Sequence, residues 1–357
     1  MNIFHCDHCQ QLVFFENIQC VKCGHALAYL PDRVDMASLE ALGNELWRPR
    51  DAGDRTYRLC ENYRRENVCN WAIAADDPHS LCQSCRLTHV IPDLDRPGRK
   101  EAWYRLEVAK RRLIYTLANL GLPLANKTDD PERGLAYEFL ADPDDPNAPR
   151  VLTGHDHGVI TLNLAEADDA ERERRRHQLG EPYRTLLGHF RHETGHYYWD
   201  RLIKDSPRLE DFRQGFGDER QDYSEALKNH YDRGPSPEWQ GQYISHYASS
   251  HPWEDWAETF AHYLHMIDTL ETAAAFGLAL RPRQPNEPSL ELDRPERIPD
   301  RPFDELIESW FPVTYVINNL NRGMGLPDAY PFVLSTPAID KLRFVHEIIA
   351  DHAQERS

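Results

Sequence analysis

The residues in this chain best placed to do chemistry are His192, Glu193 and His196, which form a His-Glu-x-x-His motif. Positions four apart lie on one face of a helix, so the two histidines can bind the same metal ion. Glu193 lies beside the first histidine, where its carboxylate can take a proton from a metal-bound water molecule. Zinc suits this role because coordination lowers the pKa of water to about 7. The motif therefore predicts a zinc site that activates water.

The segment around the motif has the apolar pattern of a helix. Leu186, Leu187 and Phe190 precede the motif at helical spacing, and a Tyr-Tyr-Trp run follows it without a helix-breaking residue. We expect a helix over residues 182–203 with the motif in its middle. The alternative interpretation is an ordinary helix with two surface histidines.

A second acidic stretch, Glu254-Asp-Trp-Ala-Glu258, offers the third protein ligand that a catalytic zinc site needs. Pro252 suits the start of a helix, and the two glutamates, four apart, share one helical face. We assign Glu254 as the zinc ligand and Glu258 as the carboxylate that accepts the free ring N–H of a zinc-bound histidine. The reverse assignment of the two glutamates stays open. His262 and His265 are the alternative ligands.

All eight cysteines precede residue 86 and form two sets of metal-ligand type. The first set has the spacing of a zinc ribbon and consists of Cys6, Cys9, Cys20 and Cys23. The second, less regular set consists of Cys60, Cys69, Cys82 and Cys85. Four thiolates leave no open position on zinc, so we assign both ions to folding. The alternative interpretation of the second set is a cluster of redox-active cysteines, or of cysteines that are merely buried. Three flanking histidines are not expected to bind zinc, namely His5, His8 and His25.

The composition limits the possible partners. The 357 residues carry a net charge of −18, and residues 1–95 contain 9 Lys and Arg against 14 Asp and Glu. A surface that binds phosphates needs the opposite sign, so nucleic acid is not an expected partner. The chain shows neither a signal peptide nor an apolar run of membrane-spanning length, so no membrane partner is expected. Together with the spaced cysteines, these features predict a cytoplasmic protein.

The order of these patterns predicts an α+β fold. Small N-terminal zinc-ribbon modules are followed by a mainly α-helical metallopeptidase domain with a short β-sheet. We place the ribbon region and both four-cysteine sites at residues 1–95, and the second domain at residues 96–357. Residues 36–46 are expected to form one or two helical turns. A long amphipathic helix is expected over residues 99–120.

The alternating residues 159–164 predict a strand. We expect this strand to lie along the cleft and to pair with an extended peptide substrate. His155 and His157 lie just before it. On a strand their side chains would point to the same face and could form a second metal pair. The other interpretation is that both histidines lie in a solvated turn.

A His-Glu-x-x-His helix followed by Glu254-Asp-Trp-Ala-Glu258 resembles the gluzincin zinc peptidases, particularly the lethal-factor-type toxins. The resemblance implies that the first glutamate binds zinc and that the second contacts a zinc-bound histidine. In that group a tyrosine seven residues before the ligand assists at the scissile carbonyl, which points to Tyr247. The turn before the helix departs from the toxin pattern, and Tyr243 is therefore the alternative.

Five motifs spread over nearly the full length resemble the bacterial zinc-binding metallopeptidases with an N-terminal zinc ribbon. They are Cys6-x-x-Cys9, Cys69-Asn-Trp71, Leu81-Cys-x-x-Cys-Arg86, His192-Glu-Thr-Gly-His-Tyr-Tyr-Trp-Asp200 and His251-Pro-Trp-Glu-Asp-Trp-Ala-Glu258. This resemblance implies peptidase activity and names no substrate.

We therefore predict a zinc endopeptidase that cleaves a protein or peptide substrate and holds one catalytic and two structural Zn²⁺ ions. The catalytic zinc is assigned to His192, His196 and Glu254. Glu193 is the general base, and Tyr247 assists at the carbonyl. The alternative is a catalytically silent zinc-binding protein whose ribbons bind another protein. The intact Glu193 favours the peptidase, because a silent domain has no need of a base.

Overall fold

The structure is a computed structural model that describes residues 1–50, 53–145, 147–179, 184–292 and 300–354. The strands are β1 (Phe4–His5), β2 (Leu12–Val13), β3 (Ala26–Leu30), β4 (Asp35–Gly43), β5 (Leu46–Pro49), β6 (Tyr57–Leu59), β7 (Ala72–Ala74), β8 (Thr88–Val90), β9 (Ala136–Leu140), β10 (Gly154–Asp156), β11 (Val159–Asn163), β12 (Ala279–Leu280) and β13 (Leu290–Glu291). The helices are α1 (Glu61–Arg64), α2 (Gln83–Arg86), α3 (Arg99–Asn119), α4 (Asp169–Leu179), α5 (Leu186–Leu202), α6 (Leu209–Phe216), α7 (Tyr223–Arg233), α8 (Pro252–Ala275), α9 (Phe303–Gly323) and α10 (Thr336–Gln354). The second half of the chain is thus mostly helical.

The N-terminal region is built on a five-stranded antiparallel sheet in the order β3-β4-β5-β6-β7. The Tyr29 amide of β3 donates to the Asn70 carbonyl, just before β7, at 2.9 Å, so the two ends of the sheet meet. The helical turns predicted over residues 36–46 are wrong, because β4 occupies most of this segment. Asn44 and Glu45 have φ values of 50° and 62°, and this tight turn returns the chain as β5.

A second sheet has the strand order β10-β11-β9-β8. β8 and β11 pair with β9 in parallel, and β10 forms an antiparallel hairpin with β11. β11 is therefore paired on both sides, and among the described residues β10 has no partner strand on its outer side, so it is an edge strand. Because β8 precedes residue 95 and β9 follows it, this sheet joins segments on both sides of the predicted domain boundary.

The helices that carry the predicted site form close to where the sequence indicates. α3 spans Arg99–Asn119, against the predicted 99–120. α5 begins after Thr185, whose hydroxyl accepts a hydrogen bond from the Gly188 amide at 3.0 Å. The first two residues of the predicted helix 182–203 lie outside the described residues. None of the helices in the described part of the chain is long and apolar enough to cross a membrane.

α5 and α8 approach each other closely at Gly195. A Cβ atom at this position would lie 3.1 Å from the Ala257 Cα atom and 3.2 Å from the Ala257 carbonyl oxygen. The Gly195 carbonyl accepts a hydrogen bond from the Trp256 indole N–H at 2.8 Å. Because the opposing atoms belong to the backbone of α8, they cannot rotate away, and the helix spacing requires glycine.

We expect Gly195→Ala to destabilise the protein by about 1–3 kcal/mol, since the added methyl group must push α8 away from α5. The matched control is Gly215→Ala in α6, where a Cβ atom would meet nothing within 4 Å. Alanine at that site should be neutral or slightly stabilising, because it favours a helix by about 1 kcal/mol over glycine. Thermal unfolding followed by circular dichroism measures both. Equal melting temperatures for the two variants would contradict the close approach.

Candidate metal centre and its cavity

Two helices bring the predicted metal ligands together. α5 carries His192 and His196, and α8 carries Glu254 in its first turn. One ligand atom from each of the three residues lies within 4.8 Å of the others. The distance from His192 Nε2 to Glu254 Oε2 is 3.0 Å, and from His196 Nε2 to Glu254 Oε1 it is 3.4 Å. The carboxylate of Glu254 therefore lies between the two imidazoles.

The start of α8 positions Glu254. His251 is the N-cap residue, and its Nδ1 atom accepts a hydrogen bond from the Trp253 amide at 3.0 Å. Pro252 occupies the first helical position, as predicted. The Trp253 ring lies against His196, with 4.2 Å between the ring centroids. The His251 cap, Pro252 and the contact between Trp253 and His196 together fix the start of α8. They thereby fix the direction of the Glu254 carboxylate in its first turn.

This donor set fits a zinc ion. Two imidazoles and one carboxylate are ligands typical of a catalytic zinc site that keeps one position open. Glu254 Oε2 is buried, and although His192 Nε2 lies 3.0 Å away, no hydrogen bond of normal geometry reaches this oxygen from the described residues, which is unfavourable unless a cation is bound. Burial raises the pKa of Glu254, but the charges of His196 and His192 lower it well below its usual value. The group is therefore an ionised carboxylate, as a metal ligand must be.

Glu258 contacts the opposite side of the first histidine. Its Oε1 atom lies 2.7 Å from His192 Nδ1, and its Oε2 atom accepts a hydrogen bond from the Ser245 hydroxyl at 2.7 Å. The Ala248 amide in turn donates to Ser245 Oγ at 3.0 Å. Burial raises the pKa of Glu258, but His192 lowers it to about 2. The ionised Glu258 carboxylate accepts a hydrogen bond from the Nδ1–H group of His192. The Nε2 atom of the same ring then faces the metal centre.

The alternative ligands do not join this group. His262 and His265 follow Glu258 on α8 and are not among the three residues whose ligand atoms converge. His262 Nδ1 lies 2.9 Å from the Tyr330 hydroxyl. Burial lowers the pKa of His262 to about 4, so its imidazole is neutral at pH 7.

Three tyrosines near the metal centre make different contacts. The Tyr247 ring centroid lies 5.9 Å from that of His192. Tyr243 instead packs against Lys341, whose Nζ atom lies 4.3 Å from the ring centroid. Tyr223, which the sequence analysis did not single out, donates its hydroxyl proton to Glu254 Oε1 at 2.6 Å. Among the two tyrosines predicted as alternatives, Tyr247 is the one beside the metal ligands.

A cavity of about 390 Å³ opens beside the centre. Glu193 and His192 form part of its wall, together with Tyr247 and Glu258. Glu193 is half-buried, so its carboxylate is accessible from the cavity. The base predicted from the sequence therefore adjoins both the candidate metal ligands and the cavity.

The strand expected to pair with substrate is not available for pairing. β11 is hydrogen-bonded on both sides, whereas β10 is an edge and carries His155, whose ring centroid lies 6.3 Å from that of His196. His155 Nε2 accepts a hydrogen bond from the Gly158 amide at 2.9 Å. His157 lies in the hairpin turn with a φ of 46° and is exposed. The two histidines thus do not form a metal pair.

The cysteines form the two predicted groups. The thiols of Cys6, Cys9, Cys20 and Cys23 converge, as do those of Cys60, Cys69, Cys82 and Cys85. His5, His8 and His25 belong to neither group. Cysteines of the second group are all buried, and the buried guanidinium of Arg111 donates to the Val68 carbonyl beside them. This positive charge offsets the negative charge that four thiolates leave on a divalent ion.

Sequence reasoning missed Tyr223 and Ser245, which hold the two glutamates. Both residues lie in the segment between α6 and α8, at spacings that match no periodic pattern. Ser245 lies two residues before Tyr247, so the same segment contacts Glu258 and lines the cavity. No signal in the sequence alone identifies either contact, because each depends on how this segment folds back over α8.

Comparison with known proteins provides the family. Residues 99–348 match the family described as "Putative zinc-binding metallo-peptidase", and residues 3–96 match a zinc-ribbon domain. Uncharacterized proteins of Mycobacterium tuberculosis and Mycobacterium bovis are 43% identical over 357 residues, which cover 99% of this chain and 97% of each relative. No solved structure matches the chain significantly. Since the first match covers most of the chain and the relatives cover almost all of it, the chain belongs to this family of zinc-binding metallopeptidases and begins with a zinc ribbon.

Proposed function

We propose that the protein is a gluzincin-type zinc endopeptidase with its active site between α5 and α8. The observation that carries this proposal is the convergence of His192, His196 and Glu254 within 4.8 Å. Glu193, on the wall of the adjoining cavity, supports it further. A zinc site that served only folding would need neither an adjacent carboxylate nor an adjoining cavity.

Each residue then has a distinct task. His192, His196 and Glu254 would hold the zinc ion, which would polarise the scissile carbonyl and lower the pKa of a water molecule. Glu193 takes the proton from the attacking water and delivers it to the nitrogen of the leaving amine. Tyr247 donates a hydrogen bond to the oxyanion that forms at the carbonyl. Glu258, held by Ser245, keeps the His192 ring in place.

The edge strand β10 suits an extended substrate. Its outer side has no partner strand in the described part of the chain, and its residue His155 lies beside the metal ligand His196. A peptide paired with this edge would run past the metal centre in both directions. An internal bond of a longer chain can be bound in this way, which is why we propose an endopeptidase.

The zinc content should be three ions per chain, falling to two in His192→Ala/His196→Ala, because the cysteine groups remain intact. Elemental analysis of the purified proteins measures this. His157→Ala is the matched control, since this exposed turn histidine lies outside the convergent group and should leave three ions. Two ions in both the wild type and the double variant would contradict the proposed centre and favour the catalytically silent zinc-binding protein.

Glu193→Gln should lower kcat by about 10²–10⁴-fold while the zinc content stays at the wild-type value, because the amide binds no proton at neutral pH. The measurement is cleavage of a peptide mixture followed by mass spectrometry. Glu210→Gln in α6 is the control, since this glutamate is exposed and forms a surface ion pair with Arg213 at 3.9 Å. Full activity in the Glu193 variant would rule out this residue as the base.

Tyr247→Phe should lower kcat by about 10²-fold or more with little change in KM, since it removes a donor that acts only on the oxyanion. Steady-state kinetics on a peptide cleaved by the wild type separates the two constants. Tyr243→Phe is the matched control, because that ring packs against Lys341 and does not line the cavity. A larger loss in the Tyr243 variant would reverse the assignment of the two tyrosines.

A further inference from the structure

The two carboxylate oxygens of Glu254 have different surroundings. Oε1 accepts a hydrogen bond from the Tyr223 hydroxyl at 2.6 Å, whereas no hydrogen bond of normal geometry reaches Oε2 from the described residues. The distance to Tyr223 is that of a charge-assisted O–H···O bond, which is about twice as strong as a bond between neutral groups. One oxygen of the candidate ligand is therefore held by the protein, and the other is left for a cation.

Tyr223 is the first residue of α7, and the N-cap of this helix fixes its start. The Asp222 carboxylate accepts a hydrogen bond from a backbone amide of the first turn at 2.9 Å. The Tyr223 ring packs edge-to-face against His251 and Trp253, with ring centroids 5.2 Å and 5.9 Å apart. The hydroxyl thus reaches Glu254 from a ring that is held by the start of the same helix, α8.

His251, the N-cap residue of α8, ties this helix to the segment before Tyr223. Its Nδ1 atom accepts a hydrogen bond from the Trp253 amide, so in the neutral ring the proton is on Nε2. Nε2 lies 3.3 Å from the Gln221 carbonyl oxygen, to which it donates. The position of Tyr223 at the start of α8 therefore does not depend on its hydroxyl group alone.

Tyr223 approaches Glu254 from outside the cavity. Glu193 and Tyr247 line the cavity, whereas Tyr223 does not. Tyr223 is also 37% exposed, so its ring is not part of a tightly packed core. A donor in this place acts on the candidate ligand and not on a substrate in the cavity, and its task differs from the one proposed for Tyr247.

We propose that Tyr223 is a positioning residue of the zinc centre, whose hydrogen bond to Oε1 makes Glu254 bind zinc through Oε2 alone. Catalytic zinc sites keep one position open for water beside three protein ligands. A carboxylate that turned both oxygens toward the ion would break the Tyr223 hydrogen bond and fill that position. The proposal rests on the zinc centre of the proposed function and is independent of which peptides are cleaved.

Tyr223→Phe tests the role of the hydroxyl, because it keeps the ring and its contacts. We expect the affinity of the centre for zinc to fall about 10–100-fold, the range typical of a lost partner of a metal ligand. Competition with zinc chelators of graded affinity measures this on the whole chain. The ions that remain in His192→Ala/His196→Ala are subtracted, so that only the ion at the centre is counted.

Tyr198→Phe is the matched control. Tyr198 is buried, lies two residues after His196 on α5, and donates its hydroxyl proton to the Pro123 carbonyl at 3.0 Å. The loss of this hydrogen bond should lower the melting temperature and leave the zinc affinity unchanged. If Tyr198→Phe weakened zinc binding as much as Tyr223→Phe, lost stability would explain both results and the proposal would be wrong.

Cobalt reports the coordination number, which a tyrosine that only stabilised the fold would not change. A chelator removes the ion at the centre and leaves the cysteine sites loaded, and Co²⁺ is then added. Four-coordinate Co²⁺ absorbs visible light more strongly than five-coordinate Co²⁺, so the band should weaken in Tyr223→Phe, where Glu254 can bind through both oxygens. Identical spectra for the wild type and Tyr223→Phe would overturn the proposal whatever the zinc affinity.

The failure of this proposal is distinguishable from that of the proposed function. If the centre binds one ion with the same affinity and cobalt spectrum in both proteins, only the role of Tyr223 is wrong. If the expected differences are found but no peptide is cleaved, the role of Tyr223 stands and the peptidase function fails. A chain that binds no ion at His192, His196 and Glu254 would contradict both.

Discussion

The metal centre depends on the close contact between α5 and α8. Neither helix alone provides the three candidate zinc ligands, because His192 and His196 lie on one and Glu254 on the other. Zinc ligands must come within about 2.0–2.2 Å of the ion, so a shift of a few tenths of an ångström between the helices alters coordination. Gly195 lies one residue before His196, where a side chain would meet the backbone of α8. The absence of a side chain at this position thus sets the geometry of the ligands.

The contact between α5 and α8 also buries several charged side chains of α8. Each of these side chains needs a hydrogen-bond or ion-pair partner. Isolated buried charges cost several kcal/mol, so their partners are part of the structure of α8. These partners come from different elements: Tyr223 of α7 for Glu254, Lys341 of α10 for Asp255, Ser245 and His192 for Glu258, and Arg191 of α5 for Asp268. Burial raises the pKa of Asp255 to about 7 even with Lys341 at 2.6 Å. α8 is consequently fixed from several sides, which limits its rotation and keeps Glu254 between the histidines.

The local patterns were readable from the sequence, whereas the contacts between elements were not. The His-Glu-x-x-His motif, Pro252 and the apolar repeat of α3 act within one helix, and the structure has these helices within a few residues of the predicted bounds. The helical turns predicted over 36–46 fail because a turn of only two residues, with positive φ, determines the hairpin. Residues 159–163 form the strand that the alternation predicts, but the expected pairing of this strand with substrate is wrong, because which strand lies at the edge of a sheet depends on pairing with distant segments. Tyr223 and Ser245 contact the site across 31 and 13 residues of chain, and no short-range pattern predicts such contacts.

The N-terminal region is joined to the metal centre through α3. On one side of this helix the buried Arg111 donates to the Val68 carbonyl, next to Cys69 of the second cysteine group. On the other side Thr116 donates to Asp268 at 2.5 Å, and the same carboxylate accepts from Arg191, the residue before His192. One buried apolar cluster includes residues from both regions. Because buried contacts of this kind are lost together when a domain unfolds, zinc bound to the second cysteine group must contribute to the stability of the helices that hold the metal centre. A ribbon attached only by a flexible linker would have no such effect, so the second cysteine group is better understood as part of the domain that supports the candidate metal centre.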